Sequence, residues 1–201
     1  MNEYLLSIQI PFTEERFCEF KSLCRVVDAQ RAKRNDIELI WDDTGKEMTI
    51  GEKRNILYSK SNGIYSWQID SDDDISPDAV WRIMEAIKQN PDCITFQEKC
   101  TIDGVEYSSN HLLEYGDWEG DGSKLLWDGW HFHRTPFFKS IIKTEIAINV
   151  PVPHIRFGED HQWAQALKPH LKTEVHIPEF IYYYQHTSSN FTERYGFDRE
   201  A

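Results

Sequence analysis

The stretch YSWQIDSDDDISPDAV, residues 65–80, carries five aspartates within nine positions: Asp70, Asp72, Asp73, Asp74 and Asp78. Carboxylates this close repel one another; at ~4 Å a like-charge pair costs roughly 4 kcal/mol at an effective dielectric of 20. Such a cluster either faces water at the start of the helix that Pro77 opens, or it surrounds something positive. An Asp-x-Asp at the end of an apolar strand can hold a hard divalent cation that also grips a diphosphate, because Mg2+ takes one or two carboxylates together with substrate phosphates and water. Asp74 and Asp78 suit the helix start, where negative charge meets the dipole. Asp70 and Asp72 come directly after YSWQI and suit the cation.

The elements that must position these acids are legible from periodicity. YLLSIQIP (4–11) is a short apolar run closed by proline, a buried strand. TEERFCEFKSLCRVVDAQ has helical spacing, with Phe17, Phe20, Leu23/Cys24 and Val27 on one face and Thr13 as N-cap. DIELIW is a second strand, ending in DDTG. TIGEKRNILYSKSNG opens with the capping box Thr49-x-x-Glu52 and is expected to stop at Gly63. IYSWQID is a third strand. SPDAVWRIMEAIKQNP is a helix with Ser76 as N-cap and a stripe of Val80, Ile83, Met84 and Ile87. DCITFQEK then gives a strand and IDGVEY a hairpin return. Strand–helix alternation over the first ~90 residues implies a parallel, doubly wound sheet, and ligands of such sheets bind beyond the carboxyl ends of the strands. Both WDDTG and QIDSDDD fall there.

The second half is less regular. Residues 108–135 are rich in Gly, Asp and Trp and resemble a long loop that covers a site. Its WHFHR segment offers a flat aromatic face at Trp130 and a phosphate-binding guanidinium at Arg134, although aromatic side chains at strand ends are also ordinary core. TPFFKSIIKTEIAINV is expected to be helical in part. GEDHQWAQALKPHL has helical spacing, with Trp163, Ala166/Leu167 and His170 on one side, and TEVHIPEFIYYYQH is a final strand or strand pair.

Composition bounds the function. With 40% hydrophobic and 13% aromatic residues the chain can bury a full core. The net charge of −12, from 34 acidic and 22 basic residues, argues against a broad nucleic-acid surface, which runs on Lys and Arg. Cys18, Cys24, Cys93 and Cys100 show no CxxC spacing and are expected as buried free thiols in a reducing cytoplasm. No apolar run approaches the ~20 residues of a membrane span, so the expected location is cytoplasmic.

The order LLSIQIPFT, IELIWDDTG, GEKRNILYSKSNGIYSWQIDSDDDISPDAV, FGEDHQWAQAL, IPEFIYYYQH resembles the family-2 glycosyltransferases of the GT-A fold, and among them the small members carried by phages. The likeness covers residues 4–90 closely and 155–187 well, leaving roughly 95–150 unmatched in detail. It implies an α/β fold of the nucleotide-diphospho-sugar transferase type, a mostly parallel central sheet flanked by helices. It further implies a single domain over 1–201, with 1–100 the nucleotide-sugar-binding half and 101–201 the acceptor-binding and catalytic half. The location it implies is the cytoplasm of a bacterium or a phage-infected host cell.

By the same resemblance Phe12, Thr13, Asp42 and Asp43 meet the base and ribose, and Arg54 meets phosphate or a base edge, its plain alternative being a surface salt bridge to Glu52 or a neighbour. Asp72 coordinates Mn2+ or Mg2+ directly, with Asp70 on the ribose or a metal-bound water and His186 as a third ligand. Asp160 is the general base, with Glu159 supporting it or binding acceptor, and His161 orients the site or faces solvent. Asp73 and Asp74 leave the metal register open by one residue. The implied activity is a metal-dependent, inverting hexosyl- or pentosyltransferase. Its donor is a nucleotide-diphosphate sugar, UDP-sugar favoured, and its acceptor a saccharide or another hydroxyl. The alternatives are a glycosyltransferase acting on hydroxymethylated bases of phage DNA and an inactive nucleotide-sugar or carbohydrate-binding protein. A nucleotidyltransferase would favour a glycine-rich first loop, which IPFTEERF lacks.

Overall fold

The computed structural model describes residues 4–155 and 157–187. The first apolar run forms β1 (Tyr4–Pro11), buried on both faces from Leu6 onward, as an interior parallel strand must be. A 3-10 turn at Glu14–Arg16 leads into α1 (Phe17–Arg31). Phe20, Leu23 and Val27 are buried as the spacing requires, but Phe17 is 49% exposed. The tight turn ahead of it sets it at the first position of the helix, out of line with the stripe below. Thr13 precedes the turn, and its hydroxyl makes no capping bond.

β2 (Ile37–Asp42) is followed by α2 (Ile50–Lys60), which has both arms of the expected capping box: Glu52 N–H donates to Thr49 Oγ1 at 3.2 Å and Thr49 N–H to the Glu52 carboxylate at 2.7 Å. The helix stops at Ser61, before Gly63, which opens β3 (Gly63–Gln68) instead of capping α2. Next come β4 (Asp74–Ile75) and α3 (Ala79–Ile87), whose Val80, Ile83, Met84 and Ile87 are all buried. Asp78, rather than Ser76, holds the cap position of α3, and the Ser76 hydroxyl donates to Asp78 at 2.8 Å. β5 (Cys93–Ile102) and β6 (Val105–His111) form the expected hairpin about Asp103 and Gly104. Beyond the long loop lie β7 (Phe132–Arg134), β8 (Ile141–Lys143), α4 (Thr144–Asn149), α5 (Glu159–Leu167) and β9 (Glu174–His186). In α5 the inward residues are Glu159, Trp163, Ala164 and Leu167; Ala166 faces outward, as does His170 in the 3-10 turn that follows.

The sheet runs β2-β1-β3-β8-β5-β6-β7, with β9 along the other side of β5 and β4 paired to β9. β1, β2 and β3 are mutually parallel; β8 is antiparallel to both β3 and β5, so β5 and its parallel partner β9 point the same way as β1. β1, β2, β3, β5 and β9 therefore share one carboxyl edge, and the strands opposed to them are β4, β6, β7 and β8. One core, led by Leu6, Ile8, Trp67, Ile83 and Phe96, lies between the sheet and α1 and α3. A second, around Tyr58, Phe137, Phe138, Trp163 and Leu167, fixes α4 and α5 against the other face. Among the described residues no helix is long and apolar enough to cross a membrane. Of the four free cysteines, Cys93 and Cys100 are buried as expected, but Cys24 is half-buried and Cys18 exposed, because α1 turns that side away from the sheet.

Gly63 is required by close approach. A β-carbon there would stand 2.5 Å from Ser7 N and 2.8 Å from the Leu6 carbonyl carbon, both backbone atoms of the paired strand. Gly63→Ala is expected to lower the unfolding free energy by about 1–3 kcal/mol, read as a lower urea midpoint; an unchanged midpoint would mean that β1 and β3 can separate at no cost.

Candidate active site at the carboxyl edge of the sheet

The three acids after β3 meet three different environments. Asp70 lies beside Arg54 of α2, whose guanidinium donates to both carboxylate oxygens, at 2.9 and 3.2 Å, and to Gln68 Oε1 at 3.1 Å. Arg54 is buried and stacked over Phe138, 3.3 Å from the ring centre. Burial opposes its charge, but Asp70 and Glu159 raise its pKa all the same. The expected alternative, a pair with Glu52, does not form, because Glu52 is committed to the capping box. Asp72 is ion-paired with Arg16 of the 3-10 turn. Burial and the neighbouring Asp70 push its carboxyl up, and Arg16 pulls it back.

Asp73 points inward. It accepts from Tyr182 Oη at 2.7 Å and from Gln185 N–H at 3.0 Å, with Lys139 Nζ at 3.7 Å. Lys139 is held closer by Glu98, at 2.5 Å, and Glu98 accepts from His111 Nε2–H at 3.0 Å. All of these side chains are buried. Because Lys139 is spent chiefly on Glu98, burial wins at Asp73 and pushes its carboxyl up to about 8. Tyr182 Oη also accepts from Asp70 N–H at 3.2 Å, so one phenol ties both ends of the acidic loop to β9. Sequence reasoning missed Lys139, Glu98 and Tyr182. The available signal was a single Lys inside TPFFKSII and a single Glu inside ITFQEKC, charges that an apolar run keeps only if they are paired.

Across Arg54 stands the start of α5. Gly158 takes φ 77°, a left-handed conformation that glycine adopts at little steric cost, and turns the chain into the helix. Trp163 pins α5 down: its ring stacks on Tyr58 at 5.5 Å and its indole N–H donates to Val150 O at 2.5 Å. This leaves Glu159 buried next to Arg54. Burial pushes its carboxyl up to about 7; Arg54 opposes the rise, and Asp160 and Asp70 add to it. Asp160 is more open, accepts from His161 N–H at 2.7 Å and faces Arg134. The Glu159–Asp160 pair and Asp70 are thus brought to one place.

The remaining expected residues divide. His161 fastens the long loop to α5, with Nε2 and Asp117 2.6 Å apart. Arg134 donates to the carbonyls of Glu119 and His133, at 2.9 and 2.8 Å, and lies over Trp118 and Phe132, each at 4.8 Å; burial lowers its pKa. Trp130 is half-buried and packs on Phe180, 5.9 Å between ring centres, while Trp127 of the same loop is 87% exposed. Phe12 does not present its ring to a ligand: the ring is stacked on Phe20 at 4.0 Å within the core, because β1 is buried through its end. Asp42 is likewise turned inward, accepting from Thr44 N–H at 3.1 Å and from the Thr44 hydroxyl. Thr13 is half-exposed and Asp43 exposed at the same edge. Between them the buried Lys53 donates to Phe12 O at 3.2 Å and to Thr44 O.

Asp70 and Asp72 are each 27% exposed at the side chain. An ionised carboxylate offers about four lone-pair sites, so one guanidinium does not exhaust it. Two such carboxylates are what Mg2+ uses when substrate phosphates complete its shell, so these residues fit a cation shared with a diphosphate. No group of three or more His, Cys, Asp or Glu suited to hold a metal occurs among the described residues. His186, the expected third ligand, is not gathered into such a group; its ring stacks on Tyr184 at 6.0 Å and 9°.

The sequence matches no protein-family model and no curated protein. Solved structures do match the fold. Residues 1–349 of S. aureus TarS superpose with a TM-score of 0.64 at 14% identity, over 94% of this chain and 63% of that one. The TarS fragment in complex with UDP-GlcNAc gives 0.62 at 13%, over 90% and 58%, and the complex with UDP 0.62 at 13%, over 94% and 63%. The chain therefore spans less than two thirds of the TarS fragment. At such identity the likeness establishes the fold: an α/β domain with a mostly parallel central sheet flanked by helices, of the GT-A type expected from the sequence.

Two outcomes test this geometry. Lys139→Met strands the buried Glu98 and should cost about 3–5 kcal/mol of stability, seen as a lower thermal midpoint; adding Glu98→Gln should return part of it. A carboxyl whose folded-state pKa lies above its unfolded one holds its proton more tightly when folded. The Glu159 contribution therefore falls as pH rises from about 4.5 to about 7 and is flat above that. Glu159→Gln should match the parent protein near pH 4.5 and exceed it by about 1–3 kcal/mol at pH 8. Equal pH–stability curves would place Glu159 in water.

Proposed function

We propose that the chain is a metal-dependent glycosyltransferase that moves a sugar from a nucleotide-diphosphate donor to an acceptor hydroxyl with inversion. The observation that carries this reading is the meeting, across the buried Arg54, of the Asp70–Asp72 pair with the Glu159–Asp160 pair. One pair suits a cation on a leaving diphosphate, the other a proton from an attacking hydroxyl. TarS in the same fold was solved with UDP-GlcNAc and with UDP, which favours a UDP-sugar as donor.

In this reading Asp72 and Asp70 hold Mn2+ or Mg2+, which when bound supplies positive charge to the departing diphosphate. Asp43 and Thr13, at the carboxyl ends of β2 and β1, meet the nucleoside, and Arg54 fixes Asp70. The acceptor oxygen attacks the anomeric carbon as the bond to the diphosphate oxygen breaks. The electron pair leaves with the diphosphate, and the acceptor proton passes to Asp160. Glu159, buried beside Arg54, supports Asp160 or binds the acceptor. His161, Trp118 and Arg134 shape the acceptor side of the cleft, and the exposed Trp127 offers a flat face for a saccharide. The net charge of −12 disfavours DNA as acceptor.

Release of nucleoside diphosphate from a panel of UDP- and GDP-sugars with MnCl2 tests the reading. One donor should be turned over, chelation should stop it, and Asp72→Asn should lower the rate roughly 100-fold or more. Asp73→Asn should stay within about threefold, since Asp73 binds Tyr182 and Lys139 rather than the donor. Donor binding without any turnover would replace the enzyme by a carbohydrate-binding protein.

A further inference from the structure

The ion pair between Arg16 and Asp72 has no part in the reaction as described, yet it occupies the acid on which the donor site depends. Arg16 stands on the short 3-10 turn that leaves β1, held by its own N–H to Thr13 O at 2.8 Å, and so lies at the same carboxyl edge as Asp43 and Asp70. Asp70 has its own guanidinium in the buried Arg54. The two arginines differ in setting: Arg54 is 3% exposed at the side chain and locked over Phe138, whereas Arg16 is 21% exposed. With both side chains partly exposed, Asp72 and Arg16 can each exchange this partner for another one at the same edge. A guanidinium is also the side chain best shaped for phosphate oxygens.

We infer that Arg16 is a resident counter-ion that competes with a divalent cation for Asp72 and, once displaced, binds the diphosphate of the donor. This rests on the donor-site reading above. A cation arriving alone must displace Arg16 and leave its charge without an anion. A cation arriving with a nucleoside diphosphate brings the anion that Arg16 needs. Arg16 thereby couples the two ligands: each strengthens the other, by the same factor in both directions. It also offsets the repulsion between Asp72 and Asp70 while the site is empty of donor.

Binding of MnCl2 to the whole chain, followed by the paramagnetic signal of free Mn2+, tests this with no reference to turnover. In the parent protein MnCl2 alone should bind weakly, and saturating UDP should tighten it about tenfold or more. Arg16→Gln should bind MnCl2 alone about fivefold more tightly and lose most of the UDP enhancement. Arg16→Lys should keep the weak binding of MnCl2 alone and lose part of the enhancement, because an ammonium lacks the planar fork. Arg16→Gln with parent-like affinity for MnCl2 and an intact UDP effect overturns the role of Arg16 and leaves the donor site standing. A parent protein that binds neither MnCl2 nor UDP overturns both.

Discussion

Three carboxylates cannot share the end of one strand unless the chain removes their mutual repulsion, and the whole carboxyl edge is organised around doing so. Asp70 receives a guanidinium from α2, Asp72 one from the turn after β1, and Asp73 is folded inward against Tyr182, Gln185 and Lys139. The means differ. Two acids are neutralised by a facing cation; the third is driven by burial toward its neutral form, where it no longer repels. Without Arg54 and Arg16, Asp70 and Asp72 would stand side by side in a partly dry cleft at a cost of several kcal/mol. A bound cation is therefore not what makes the cluster tolerable; the chain's own cations already do that.

This arrangement needs the far end of the chain. Tyr182, Tyr184 and Gln185 all lie on β9, which pairs with β5 along its length and with β4 just past the acids. The loop is thus clamped between strands formed more than a hundred residues apart in sequence. Buried charges such as Lys139 and Glu98 are costly, and an apolar replacement of both is often no less stable. What they add here is direction. Through Tyr182 they hold the loop so that Asp73 turns in while Asp70 and Asp72 turn out.

Local pattern made most of the architecture readable. The capping box at Thr49, the stripe of α3, the DG hairpin and the alternation of strands and helices each follow from short-range rules, and each is present. The misses have tertiary causes. Gly63 looked like a helix stop, but its absent side chain serves the approach of β1. Phe12 is expected to meet the base or ribose, but its ring stacks on Phe20 in the core. The Glu52 alternative for Arg54 does not form; the guanidinium reaches Asp70, sixteen residues on. Spacing could mark the acids as a group. Only the packed chain could say which of them faces in, because that depends on Lys139 and Tyr182.

The two acids that open α5 carry the argument furthest. They are adjacent in sequence and share one helix dipole, so neither propensity nor electrostatics along the helix can separate them. Their surroundings do. Glu159 is buried toward Arg54 and Asp70, on the side of the acidic loop, and its affinity for a proton rises accordingly; Asp160 lies toward Arg134 and the loop fastened by His161. Pairs of titratable groups that their environments push apart are how a single fold divides acid and base work. Under the proposed reaction the more open Asp160 meets the acceptor hydroxyl, while Glu159 stays buried beside Arg54. In that reading Arg54, a buried cation that interacts with both Asp70 and Glu159, lies between the donor side and the acceptor side of the site.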